Sequence, residues 1–278
     1  MKKIVGGVIA VLSAAVAFQL LGQAQQPAAP KGPVLTTNEA TAPAGGSANP
    51  DTKKGKGKGK ARPTGPTPRL PDGHVDLSGV WNGGGPIGDI MQGLVKGDTV
   101  EMTAEGKKIF DSRQSKDDPE ANCLPTGIPR IAPYPWRIVQ QGNTHVFFLF
   151  EGNIHSFRQI FLNQAKHPDD PDPTWYGHSI GHWEGDTLVV DTTGFNDKFW
   201  FDFRGHPHTE QLHTIERYTR TDYGTLEVET TVIDPGAYVK PFRLHFTATL
   251  RPNEELMEYI CQENQQDAQH LQGKAGLP

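Results

Sequence analysis

The densest grouping of chemically versatile side chains in this sequence is His206-Pro207-His208-Thr209-Glu210-Gln211-Leu212-His213. If the run is extended, His206, His208 and Glu210 point the same way. If Pro207 opens a helical turn, His206, Glu210 and His213 share a face. Either arrangement sets two imidazoles beside a carboxylate, a donor set that holds a divalent metal or passes protons near neutral pH. A metal would take His206, His208, Glu210 and His213 as ligands, and a divalent ion is the cofactor such a set suggests. An acid–base site would draw on His178, His206, His208, Glu210 and Asp191. The plainer reading of the same run is a solvated, His-rich loop ahead of a strand.

A second candidate is Gly177-His178-Ser179-Ile180-Gly181, which fits the Gly-x-Ser-x-Gly pattern of a nucleophile elbow. An elbow needs a strand, a strained turn and then a helix. Here the motif runs directly into a hairpin, Trp183 before the turn and Leu188-Val189-Val190 after it. Ser179 is therefore expected in mid-strand, with the flanking glycines relieving crowding at a bend.

Alternation along the strands selects the ligand-facing candidates. Tyr176, His178, Ile180 and His182 share one face of their strand. His155, Phe157, Gln159 and Phe161 oppose Ser156, Arg158 and Ile160 on an earlier one. Both faces mix large and polar groups, which suggests a lined cavity rather than a filled core. His155, Arg158 and Tyr176 are candidates for its wall. Asn196, Asp197 and Trp200, in an aromatic and polar stretch, would form either a lid over the mouth or a loop packed onto the rim.

The elements that must position these groups read as successive β-hairpins. Strand patterns cover Val75–Asn82, Trp136–Gln141, Thr144–Phe150, Ile154–Leu162, Tyr176–Trp183, Thr187–Thr193, Leu212–Thr221, Thr225–Ile233, Val239–Leu250 and Glu255–Glu263, about ten in all. Gly142-Asn143, Glu184-Gly185-Asp186 and Asp222-Tyr223-Gly224 supply tight turns between them. Thr103 is the N-cap of one short helix within Met91–Arg113. The expected fold is all-β: an antiparallel meander closing into a lipocalin-like (calycin-type) barrel, since closure removes exposed edges. Strict up-and-down alternation puts the strand starts at 176 and 212 at one end. The strand start at 154, with His155, joins them only if the 163–175 loop crosses the barrel or the strand count is off by one.

Several phrases resemble a family of secreted bacterial lipocalin-like β-barrel proteins, mostly of unknown function. They are Pro133-Tyr134-Pro135-Trp136-Arg137, His155-Ser156-Phe157-Arg158-Gln159, Gly177-His178-Ser179, Trp183-Glu184-Gly185-Asp186-Thr187-Leu188 and His206-Pro207-His208-Thr209-Glu210. The likeness covers roughly residues 122–274. It implies a barrel and export, and assigns no catalytic residue.

The N-terminal region is of another kind. Lys2 and Lys3 precede an apolar stretch, Ile4 to Leu21, and Gly22-Gln23-Ala24 offers the small residues of a cleavage site, so residues 1–24 read as a signal peptide rather than a membrane anchor. Residues 25–73 are Pro-, Ala-, Gly- and Lys-rich and have too few large apolar side chains to offset chain entropy, so a disordered tether is expected. Its lysine run, Lys53 to Lys60, would be a solvated spacer or a contact to acidic envelope surfaces. Residues 74–278 form the barrel domain, with 17 basic against 29 acidic side chains, a net of −12 against −5 for the whole chain. That balance argues against nucleic acid as a partner. The two cysteines, Cys123 and Cys261, have one possible intramolecular pairing, and export favours a disulfide over two buried thiols.

Together these features suggest a secreted or periplasmic barrel with no membrane span once the signal is cleaved. One function is the processing of a small molecule at a His/acid site, as a hydrolase or lyase on a glycoside or aromatic compound. The alternative is non-catalytic capture of a small ligand.

Overall fold

A computed structural model describes residues 62–130, 134–152, 155–263 and 270–276. Residues 1–24, expected to be a signal peptide, and the lysine run lie outside these residues. Nine strands close into a barrel in sequence order: β1 (Gly79–Gly83), β2 (Trp136–Gln141), β3 (His145–Phe150), β4 (Ser156–Phe161), β5 (His178–Glu184), β6 (Thr187–Thr193), β7 (His213–Asp222), β8 (Thr225–Ile233) and β9 (Phe242–Leu250). The one α-helix among the described residues, α1 (Ala104–Ser112), starts where the sequence places it: the Thr103 hydroxyl accepts a hydrogen bond from the Gly106 amide at 2.9 Å.

The expected all-β barrel closes, with two departures from a ten-strand antiparallel meander: one strand is missing and one seam is parallel. The tenth expected strand, Glu255–Glu263, does not form. β9 already pairs with β1, so no edge is left to receive it. Its backbone is instead tied down by side chains: the Met257 amide donates to Glu151 and the Tyr259 amide to His155 Nε2, both at 2.8 Å. An odd number of strands cannot close with every neighbour antiparallel, so one seam must be parallel. That seam is β4/β5, where only Ile160–Ser179 and Phe161–Ile180 are in register. The connection between these strands therefore crosses the length of the barrel. It brings the starts of β4, β5 and β7 to one end, called here the site end.

The inner faces are filled rather than hollow. Trp81, Trp136, Ile138, Phe148, Ile160, Leu188, Val190 and Leu250 pack into one apolar core. A second core, built from Ile90, Ile128, Phe195, Phe199, Phe201, Leu212, Tyr238 and Phe242, plugs the site end. The mixed alternation read as a cavity lining has another cause: the polar inward groups, Arg158, Ser179, Thr192 and Glu216, are all buried and bond to one another.

Residues 62–73, expected in the tether, lie against the barrel. The Tyr223 amide donates to the Gly65 carbonyl at 2.9 Å, Arg62 pairs with Asp222, and Arg69 makes a two-pronged contact with Asp186. A Pro-rich segment needs no core of its own when it borrows hydrogen bonds and charges from a finished surface. Cys123 and Cys261 are bonded, with Cα atoms 5.5 Å apart. Among the described residues no helix is long and apolar enough to cross a membrane.

Candidate functional site

The parallel seam creates the cleft. β4 and β5 touch only near Ile160 and Ser179, and toward the site end they part. The gap, about 600 Å³, is bounded by His155 and the first residues of β4 on one side and by the end of the returning connection and His178 of β5 on the other. Phe157, Phe161, Trp175 and Tyr176 give it aromatic walls, and His155, Asp172 and His178 give it polar groups. Phe157 is 62 % exposed at the lip. Gly177 makes the entry into β5 possible: its φ is +65°, and a Cβ there would lie 2.6 Å from the Thr193 carbonyl oxygen.

His178 is the end of a chain of hydrogen bonds. Its Nδ1 lies 2.9 Å from Nδ1 of His167, whose Nε2 lies 2.9 Å from Asp191 Oδ1. His213 Nε2 approaches the same carboxylate oxygen at 2.9 Å. These four side chains come from the crossover connection, β5, β6 and β7. Asp191 sits opposite Ile180 and Ile215 on the outward face, so the cluster lies on the outside of the barrel beside the cleft. Burial pushes the His178 imidazole below its ordinary value, and the neighbouring His167 pushes it further the same way. Its ring stacks on Phe161 with centroids 5.1 Å apart.

The other candidates are distributed among separate settings. Arg158 touches the cleft but has no donor to offer a ligand. Its five N–H groups are taken by Ser179, Thr192, Tyr218 and, twice, Glu216. Burial alone would lower its pKa; the Glu216 carboxylate and the Tyr218 hydroxyl outweigh that and hold it above the ordinary value. Tyr176 keeps its place in the wall. Its hydroxyl shares a hydrogen bond with Ser156 at 2.9 Å, and burial pushes its pKa up to about 12, so it stays neutral. His155 is exposed and accepts from the Tyr259 amide.

The His206–His213 run is not one ligand set. His206 Nδ1 is 2.6 Å from Asp202. His208 is enclosed between Phe199 and Phe201, with Nε2 3.0 Å from the Phe199 carbonyl, and burial lowers its pKa to about 3. Glu210 is exposed, and His213 faces Asp191. The metal set His206, His208, Glu210 and His213 is therefore not assembled, because the aromatic plug draws His208 inward while the backbone turns Glu210 outward. Among the described residues, one group of three has ligand atoms close enough for a metal: Asp89, Asp202 and His206. Asp202 there already accepts from the Ile90 amide as well as facing His206, which reads as a tie between loops.

The aromatic stretch is no lid. Trp200 is buried under the Arg113 guanidinium, 4.8 Å from its ring, and Asn196 is buried with its side-chain oxygen accepting from the Lys198 amide. Asp197 is exposed and lines no part of the cleft. Ser179 is fully buried against Arg158 and Thr192, as a mid-strand position requires and a nucleophile does not. Two partners were missed from sequence. Glu216 falls on the inward face of β7, so alternation could have found it. His167 lies in an irregular loop, and nothing local links it to Asp191.

No family model and no curated protein matches the chain. Among solved structures it is similar to a mutant of the fluorescent protein UnaG, at 11 % identity over 64 % of this chain and 97 % of the other, with a TM-score of 0.29. So slight a likeness carries no argument, and the fold rests on the strand pairing itself.

Proposed function

We propose that this protein works outside the cytoplasm as a barrel that captures a small aromatic molecule in the β4/β5 cleft. The observation that carries this reading is the aromatic wall at the parallel seam, with Phe157 exposed at its lip and a small number of polar groups beside it. Mostly apolar concavities with sparse polar groups are the common form of small-ligand sites. The signal-like N-terminus and the Cys123–Cys261 bond support an oxidising, exported setting. The barrel centre is not the ligand site in this reading, because its polar groups are satisfied by one another.

A second reading, a hydrolase or lyase acting on an aromatic compound or glycoside, is favoured by the bonded chain that ends on His178 at the cleft. Both readings are tested by the same first step. A panel of small aromatic compounds is titrated against the protein while backbone amide resonances are followed by NMR. Binding should move resonances of residues 155–161 and 172–178, and Trp175→Ala should weaken it by roughly tenfold, the loss of about 1.4 kcal/mol of ring contact. Ligands that bind while leaving those resonances in place would put the site elsewhere.

A further inference from the structure

We infer that Asp191, His167 and His178 form a proton relay, and that it makes His178 the proton acceptor for a hydroxylated aromatic, a phenol, bound in the β4/β5 cleft. This rests on the cleft being the ligand site and names the ligand's chemistry. The argument is one of tautomers. Asp191 Oδ1 can only accept, so both His167 Nε2 and His213 Nε2, each 2.9 Å away, must donate to it. A neutral His167 with its proton on Nε2 has a lone pair on Nδ1. The Nδ1 of His178, 2.9 Å away, must then be the donor in that contact. A neutral His178 with its proton on Nδ1 carries its one basic lone pair on Nε2, which has no hydrogen-bond partner among the described residues. An aromatic cleft beside an imidazole nitrogen that can only accept suits a ring bearing a hydroxyl donor.

The step balances without a co-reactant. The phenol O–H bond breaks, its electron pair stays on oxygen, and a proton joins His178 Nε2. The Nδ1–H of His178 passes to His167 Nδ1. The result is a phenolate in the cleft and an imidazolium on His167 against the Asp191 carboxylate, with His213 donating to the same oxygen. Moving the charge off His178 matters, because burial disfavours a cation there. Other groups face this nitrogen's surroundings: Asp172 on the crossover connection and His155 at the start of β4 line the same cleft, while Arg158 is engaged by Glu216. His178 would touch the ligand; His167, Asp191 and His213 are positioning residues.

The test uses para-nitrophenol, whose ionisation is read by its colour, and NMR of the isotope-labelled histidines. Without ligand at neutral pH, His178 should carry its proton on Nδ1 and His167 on Nε2. Bound para-nitrophenol should ionise at least one pH unit below the free compound. With enough His178→Gln protein to saturate the compound, its ionisation should return to the free value, and Asp191→Asn should remove most of the shift. An Nε2-protonated His178, or a shift that survives His178→Gln, overturns the relay while leaving the cleft reading intact. No saturable movement of cleft resonances with para-nitrophenol or with any compound of the aromatic panel sinks the cleft reading, and the relay with it.

Discussion

Arg158 and Glu216 face each other inside the barrel, joined by two hydrogen bonds and shut off from solvent, with the Tyr218 hydroxyl donating to the same carboxylate at 2.6 Å. Removing one partner strands the other charge in an apolar interior. Glu216→Ala should cost about 3–5 kcal/mol in urea unfolding, whereas the paired change Arg158→Met with Glu216→Leu should cost far less. Equal losses for the single and double variants would show that the pair is not the source of the effect.

His208 sets a pH dependence whose sign is fixed. Burial lowers its pKa to about 3, against an ordinary value near 6.5 in the unfolded chain. The folded state therefore binds fewer protons between those values. Its contribution is complete above about pH 6.5 and is lost as the pH falls toward 3. His208→Gln, which keeps a donor for the Phe199 carbonyl, should flatten the fall in stability between pH 7 and pH 4. Parallel stability profiles for the two proteins would contradict this.

Residues 62–73 are held by backbone hydrogen bonds and by exposed arginine–aspartate contacts rather than by apolar burial. A chain beginning at residue 62 should be more stable than one beginning at residue 74 by about 1–2 kcal/mol, the scale of one or two net hydrogen bonds. Limited proteolysis should stop near residue 62. A protected core beginning at His74, with unchanged stability, would show that this strap contributes nothing.

The Cys123–Cys261 bond spans a sequence separation of 138 residues and ties the segment after β9 to the connection after α1. Closing so long a loop limits the unfolded chain by about 5 kcal/mol in the chain-entropy model. Thiol titration of the denatured, unreduced protein should find none, and replacing both cysteines by serine should lower the unfolding midpoint. Two titratable thiols would refute the pairing.

The strand periods, the tight turns, the Thr103 cap and the single cysteine pairing were all legible in the sequence, because each depends on residues a few positions apart or on there being only two cysteines. Alternation also set Arg158 apart from His155 and Ser179 apart from His178 on their strands, without saying which face is inward. What it could not supply was the partner on another strand that turns an inward polar group into part of a filled core, as Glu216 does for Arg158. The count of strands was a tertiary matter too. Glu255–Glu263 has strand-like composition, yet β9 had already closed on β1, and nine strands force one parallel seam. That single seam carries the 162–177 connection across the barrel, opens the cleft and sets His167 between His178 and Asp191. In the same way His206, His208 and Glu210, adjacent in sequence, part company because each follows a different gradient: His206 to a buried carboxylate, His208 into an aromatic plug, Glu210 to water.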